Sequence, residues 1–437
     1  MTSLLPLSLA LFQDVAYEHL PPSSVSVFLV WTIIKLILFF TIYMIAAALG
    51  TLAERKISAW IQDRHGPNRV GPHGLLQPAA DGLKNLMKEE SLPGQVNKPL
   101  FIMAPAMSFI PALMVWAVIP FGAPMHTRWG RLDWVLADLP VGFLFILAIA
   151  SLGVYGIVLA GWASNNKYSL LGGLRSSAQM VSYEISMGMS LIPVLLLAGN
   201  VTLSAVVIQQ ARMGVWNALA LTISFFIFMV SSFAETNRLP FDLPEAESEL
   251  IAGYHSEYSA MKFSLFFIAE YCNMFTASAM IATLFFGGWH LPFTNDYLPG
   301  GVPVWMSLLS VVWFFAKILF FVFFFMWIRW TLPRFRYDQL MSLGWKIFLP
   351  LALAYIVIVA SAVLALDYFG VPRDWRFGLA MFAMNVVLAV LVFVVLDRGR
   401  VISPASTRVR LEEVQRMRQM SRRRALGQAD LSRGAGD

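Results

Sequence analysis

Nine long apolar stretches, separated by shorter polar ones, decide most of what this chain can become. They run approximately over residues 25–49, 101–120, 141–163, 179–199, 216–234, 261–286, 304–328, 347–366 and 377–396. A bilayer core about 30 Å thick takes on the order of 20 apolar residues per helix, since each residue rises about 1.5 Å. Runs such as FFAKILFFVFFFMWI are continuous, whereas a membrane β-barrel strand alternates over about ten residues. The sequence therefore predicts an all-α fold, a polytopic integral membrane helical bundle with about nine transmembrane helices. Composition agrees: the 437 residues are 58% hydrophobic and 13% charged, with mean hydropathy +0.66, against about 25% charged in a soluble domain.

The charges orient the bundle. With nine spans, one set of alternate loops holds 25 Lys and Arg and the other only five, while Lys35 and Lys317 fall inside spans. Basic loops stay cytoplasmic, which predicts an N-terminus outside and a C-terminus in the cytoplasm. The expected layout is an external segment 1–24, a transmembrane domain 25–396 with cytoplasmic loops 50–100, 164–178, 235–260 and 329–346, and a basic cytoplasmic tail 397–437. The opening MTSLLPLSLALFQ has no basic region before its apolar patch, so it reads as a surface segment and not as a cleaved signal. Ten Arg follow Asp397, and the net +6 of the residues after it equals that of the whole chain. The basic balance is thus a tail property, read as a solvated extension or an interfacial, partner-binding helix, and gives no argument for nucleic-acid binding.

Several chemistries are excluded by absence. The sequence has no GxGxxG, Walker, HExxH or GxSxG motif, and none of its six histidines lies deep in an apolar stretch. Cys272 is the single cysteine, so no zinc or iron–sulfur site is encoded.

What remains is ionisable residues at membrane depth. Glu54, Glu184, Glu235, Glu270 and Lys317 stand within spans or at their cytoplasmic ends. Glu270 follows Lys262 by eight residues, which places it roughly 12 Å into a helix; Glu184 reaches a similar depth if its helix starts at Arg175. A lone charge at the bilayer centre costs at least about 2.5–3.5 kcal/mol, so such groups face the bundle interior and mark ion or proton paths. The plainer alternative is a structural ion pair, for instance Glu270 with Lys317. Above them lies ETNRLPFDLPEAESELIAGYHSEYSAMKF, with Glu235, Asp242, Glu245, Glu247, Glu249 and Glu257 against Arg238 and Lys262. Glu245 and Glu249 share one helical face, and like charges there raise each other's proton affinity. The pattern suits storing and passing protons; an ordinary solvated loop is the competing reading.

The first cytoplasmic loop holds Gly66, Pro67, Gly71, Pro72 and Gly74, which dictate a tight irregular turn. Leu76, Ala80, Leu83 and Met87 then recur at helical spacing beside Lys84 and Lys88, as in a helix lying in the interface. Such a loop and surface helix can frame an opening from the lipid to a cytoplasmic pocket.

Four segments, AERKISAWIQDRHGPNRVGPHGLLQPAADGLK, SYEISMGMSL, AETNRLPFDLPEAESELIAGYHSEYSAMKF and IRWTLPRFRYDQLMSLGWK, lie between Leu52 and Lys346. Together they resemble the H subunit of bacterial respiratory complex I, the proton-translocating NADH:quinone oxidoreductase. The last apolar stretch and the Arg-rich tail are additions to the commoner eight-helix form of that family. The resemblance implies a bacterial inner-membrane protein that forms much of the quinone cavity and starts the acidic path to the pump modules. It implies that Arg55, Gly66, Pro67, Asn68, Arg69 and Gly71 lie near the quinone channel, with Arg329, Arg334, Arg336 and Asp338 beside it. It likewise implies that Glu54, Glu235, Asp242, Glu245, Glu247, Glu249 and Glu257 form the coupling link, which Glu184, Glu270 and Lys317 continue into the membrane. NADH, FMN and iron–sulfur clusters are expected in partner subunits, the peripheral-arm and small membrane subunits of the same complex.

Two other readings compete. The related membrane subunit of a hydrogenase or of a ferredoxin- or formate-linked complex shares the acid chain, but the full GPNRVGPHGLLQPAADGLK loop favours the quinone enzyme. A stand-alone ion transporter would show paired repeats, and none is evident between the halves.

Overall fold

The computed structural model describes residues 25–128, 130–243, 251–292, 294, 302–397 and 416. Contacts divide the chain into Met1–Phe382 and Ala383–Asp437. The described elements belong to the first unit, except for the last helix, most of which lies in the second.

Helix α1 spans Val25–Ile61. Its 37 residues extend about 55 Å, more than the hydrocarbon needs, so the apolar stretch continues unbroken into Glu54 and Arg55. Phe28, Leu29, Ile33, Ile37 and Phe40 are exposed along it, the pattern of a lipid-facing helix. The irregular loop follows. Gly74 has φ +78°, and a Cβ there would stand 2.2 Å from the Pro67 carbonyl oxygen, so the turn admits no side chain. Helix α2, Gln77–Met87, buries none of its residues and exposes Leu83, Leu86 and Met87, as expected of the interfacial helix. Asn85 donating to Ser264 Oγ at 2.7 Å holds it to the bundle.

Helix α3, Lys98–Met114, carries Pro105 and Pro111, and a two-stranded hairpin, β1 (Met125–Thr127) with β2 (Gly130–Leu132), precedes helix α4, Gly142–Ala163. Helices α3 and α4 touch backbone to backbone. A Cβ on Gly156 would lie 2.2 Å from Ser108 Oγ and 2.9 Å from the Ala104 carbonyl oxygen, the close approach that small residues allow between membrane helices.

Helix α5, Lys167–Ala198, starts on Asn166, whose side chain accepts from the Tyr168 N–H, and ends at left-handed Gly199. It begins eight residues before Arg175. Glu184 therefore stands about 26 Å from the helix start, twice the separation predicted from Arg175.

The fifth apolar stretch, 216–234, is not one long helix. After α6 (Leu203–Met213) it forms a four-residue turn of helix, α7 (Asn217–Ala220), breaks at Leu221, and resumes as α8, Thr222–Glu235. Eight helices among the described residues are long and apolar enough to cross a membrane, and α8 is the short apolar ninth. Gln210 ties this region together: its Oε1 accepts from the N–H groups of Asn217 and Gly287, and its Nε2 donates to Thr283 and Leu284 carbonyls. Buried in the bundle, that amide satisfies backbone groups which the helix break and the end of the next long helix leave free.

The remaining elements are α9 (Ala260–Phe285), α10 (Val304–Thr331), α11 (Tyr337–Ser342), a π-helical turn at Leu343–Phe348, α12 (Leu349–Tyr368) and α13 (Trp375–Asp397). Lys317, in the middle of α10, donates to the carbonyls of Phe286 and Gly288 at 2.7 and 2.8 Å. A cation at a helix C-terminus satisfies its last carbonyls and its dipole, so this lysine closes α9.

Candidate functional site

Four charged side chains from four separate elements meet at the loop end of the bundle. Glu54 comes from the last turns of α1, Arg238 from the turn after α8, Glu270 from α9 and Arg329 from the end of α10. Arg238 Nη1 donates to Glu54 Oε2 at 3.2 Å, and its Nε lies 2.8 Å from Glu270 Oε1. Arg329 pairs with the other oxygen of Glu54, and the Tyr271 hydroxyl donates to Glu54 Oε2 at 2.7 Å. The Arg238 guanidinium also sits 4.6 Å from the centre of the Tyr271 ring and reaches Met274 Sδ at 3.0 Å. Two cations thus balance two carboxylates, with the Arg238 side chain only 1% exposed. Desolvation works against its charge, but the carboxylates of Glu54 and Glu270 outweigh it and hold its proton above the ordinary arginine range. Its Nε and Nη2 nonetheless lack an aligned hydrogen-bond acceptor among the described residues, so the quartet is balanced in charge and under-satisfied in geometry. Such a network responds strongly to any change of charge within it.

Asp242 lies near enough to this quartet for the charges of Arg329 and Glu270 to act on it. It is buried, pairs with Arg334 at 3.1 Å, and leaves its Oδ1 without a hydrogen-bond partner among the described residues. Burial pushes its pKa up to about 6, an effect that Arg334 only partly offsets. The turn that carries Arg238 is held by Gln179 of α5, whose Nε2 donates to the Ala234 and Phe241 carbonyls at 2.8 and 2.7 Å. Glu257 accepts from Asn166 Nδ2 at 2.8 Å. Beside it, burial lowers the pKa of His255 to about 4, so that ring stays neutral.

Below the quartet, Glu235 and Glu270 line one cavity of about 50 Å³ with Asn237, Asn273 and Tyr254. Glu184 acts electrostatically on Glu235 and accepts from the Ser151 hydroxyl. Of the predicted coupling residues, the structure thus gathers Glu54, Glu235, Asp242 and Glu270, with Glu184 one step further in. Lys317 belongs elsewhere: it donates to the carbonyls of Phe286 and Gly288 just past the end of α9, and Glu270 pairs with Arg238 instead. Glu245, Glu247 and Glu249 lie outside the described residues.

The arginines predicted beside the quinone channel separate into different environments. Arg329 is a half-buried member of the quartet and Arg334 serves Asp242, whereas Arg336 and Asp338 are exposed and pair with each other at 3.6 Å. Arg55 is exposed and bridges to Asp81 on α2 at 2.5 Å. Asn68, Arg69 and Gly71 are exposed on the irregular loop, with Gly66 and Pro67 half-buried. Sequence reasoning missed Arg238, Tyr271, Gln179, Ser151 and Asn273. One signal was available for Arg238, a lone cation inside the most acidic loop; the others are polar residues within apolar helices and carry no spacing motif.

Known proteins bear on this arrangement. The family model for NADH dehydrogenase matches residues 34–360, which covers the quartet, the irregular loop and the cavity and ends before α13. The H subunit of NADH-quinone oxidoreductase from Paramagnetospirillum magneticum is 53% identical over 325 residues, 74% of this chain and 90% of its own length. The first of the H subunits of that name from Geobacter metallireducens is 52% identical over 325 residues, 74% of this chain and 94% of its own. The second of those from Koribacter versatilis is 49% identical over 355 residues, 78% of this chain and 99% of its own. The chain belongs to the NADH dehydrogenase family, and within it to the relatives of the H subunit of NADH-quinone oxidoreductase.

Proposed function

We propose that this chain is a membrane-arm subunit of a proton-translocating NADH:quinone oxidoreductase in the bacterial inner membrane, and that it walls the quinone cavity and begins the path from quinone reduction to proton pumping. NADH, FMN and iron–sulfur clusters sit in partner subunits of the peripheral arm, which dock on the loops of residues 50–100 and 235–260. The observation that carries the reading is the Glu54–Arg238–Glu270–Arg329 quartet, with Glu54 and Arg238 buried, Asp242 nearby and Glu235 lining the cavity below.

Reduction of a quinone to a quinol takes up two electrons and two protons at its two carbonyl oxygens. The electrons arrive from the partner subunits. Near the head group, charge and protons change together, and closely coupled acids titrate as a unit. This chain's part is to hold those acids in reach of one another. The Arg238 and Arg329 guanidiniums hold Glu54 and Glu270 in ion pairs at rest. A change of charge at the cavity shifts that balance, and Asp242, Glu235 and Glu184 carry the response inward. Arg55, Asn68 and Arg69 stand on the exposed side where a lipid-soluble substrate passes α2.

The test uses the whole complex in native membranes. Glu54→Gln and Glu270→Gln are expected to lower NADH:quinone reductase activity at least tenfold while NADH oxidation by a hydrophilic acceptor at the peripheral arm is retained. Full quinone turnover with full pumping in both variants overturns the proposal.

A further inference from the structure

Two cavities stack end to end along the bundle. On α9 the first is lined by Phe266, Ala269, Glu270 and Asn273, the second by Asn273, Thr276, Ala277 and Met280. These positions form one helical face, and Phe266 to Met280 covers about 21 Å of a bilayer core of about 30 Å. The cavities share one ring: Val115, Ala150, Glu235, Thr236 and Asn273. Each has about 50 Å³, room enough for a few waters, since one needs about 10–15 Å³.

Their chemistry differs. On the loop side of the ring, Glu270, Asn237, Ser108 and Tyr254 offer polar atoms. On the far side, Ile146, Leu147, Met187, Leu191, Phe228 and Met280 supply most of the wall. The two hydroxyls there are already engaged away from the cavity: Ser232 Oγ donates to the Phe228 carbonyl at 2.8 Å, and Thr276 Oγ1 donates to the Cys272 carbonyl at 3.0 Å and shares a hydrogen bond with the Tyr43 hydroxyl at 3.2 Å. Among the described residues, no Asp, Glu, Lys, Arg or His lines the second cavity beyond Glu235 in the shared ring. A buried water needs two to four polar partners, and a proton travels only along groups that donate and accept in sequence. The far cavity interrupts that sequence.

We propose that the far cavity is an insulating seal: protons reach the Glu235–Asn273 ring from the Glu270 side and stop there, and this route offers them no exit across the membrane. Protons leave Glu235 only towards the loop side or towards Glu184. This rests on the proposed role of the acids in coupling. It adds the direction in which the path is closed.

The purified whole complex in proteoliposomes tests it with two opposite changes. Leu191→Asn, or Met280→Gln should the first not assemble, gives water partners inside the seal. Passive decay of an imposed pH difference is expected to quicken several-fold, with protons pumped per electron pair reduced and the quinone reductase rate unchanged. Ala277→Leu fills the same space and is expected to leave both pumping ratio and leak at wild-type values. A lowered pumping ratio in Ala277→Leu makes the cavity a conduit and overturns the proposal, as does an unchanged leak in the assembled polar variant. Either failure leaves the coupling role intact, because that role is judged separately by the turnover of Glu54→Gln.

Discussion

Arg238 reaches Glu54 across 184 residues of chain, Nη1 to Oε2 at 3.2 Å, and it does so with its side chain almost wholly out of solvent. Removing one partner from such a pair leaves a buried charge unpaired, which costs about 3–5 kcal/mol. Arg238→Met is therefore expected to leave Glu54 and Glu270 facing each other and to lower the thermal stability of the complex or block its assembly. Glu54→Gln added to Arg238→Met restores part of the loss. A double-mutant cycle on thermal midpoints, read against both single variants, checks this; strict additivity contradicts a shared network.

Asp242 makes the pH dependence readable. Its pKa rises from 3.8 to about 6 through burial, so between those values the folded state binds more protons than the unfolded one. Stability then falls as pH rises through the window of roughly 4 to 6, by up to about 3 kcal/mol, and levels off above it. Asp242→Asn removes the slope. The difference in thermal midpoint between variant and wild type is expected to grow in favour of the variant from pH 4 to 6 and then stay constant. A difference that shrinks with rising pH reverses the assigned sign.

Glu247 stands in the acidic loop beside Asp242 in sequence, outside the residues whose structure is described. The charge pattern of the loop alone carries the expectation that Glu247→Gln loses most quinone reductase activity while the complex assembles normally. Assembly is read by gel migration of the intact complex and activity with a short-chain quinone. Normal turnover with normal pumping removes this residue from the path.

The long spans and the exposed helix α2 were legible because each is a property of consecutive residues: period, length and apolarity suffice. The break at Leu221 was not, since 216–234 is predominantly apolar, and the short α7 before it is capped by Gln210 reaching in from α6 to the Asn217 N–H. The acids at membrane depth stood out as cost anomalies, which is why Glu54, Glu235 and Glu270 could be singled out. Their partners could not. Arg238 looked like one residual cation in an acidic loop, and Lys317 like a counterion for Glu270, until packing gave Arg238 to the acids and Lys317 to the carbonyls of Phe286 and Gly288. Pairing across hundreds of residues is decided by how helices stack, and no local pattern records it.

Close packing of α3 on α4 gives a purely steric expectation. A Cβ on Gly156 meets both the side chain and, at 2.7 Å, the backbone nitrogen of Ser108, so Gly156→Ala forces the helices apart and costs about 1–3 kcal/mol. Ser108→Ala in the same chain removes only the hydroxyl contact and is expected to recover little. Thermal midpoints of the three variants decide; full recovery means that the backbones can separate freely.

Gln179 offers the sharpest separation between shaping the site and merely holding the fold. Its amide donates to the carbonyls of Ala234 and Phe241, which bracket the turn bearing Arg238, so it fixes the guanidinium without touching it. Gln179→Leu leaves two buried carbonyls short of a donor, at about 1–3 kcal/mol each, and frees the turn. Gln179→Glu keeps the length but repels the same carbonyls when ionised and donates when protonated. A positioning role predicts that Gln179→Glu regains quinone reductase kcat as pH falls while its KM changes little, and that Gln179→Leu shows no such pH recovery. Equal loss in both variants at every pH, tracking their thermal stability, assigns the residue to the scaffold alone.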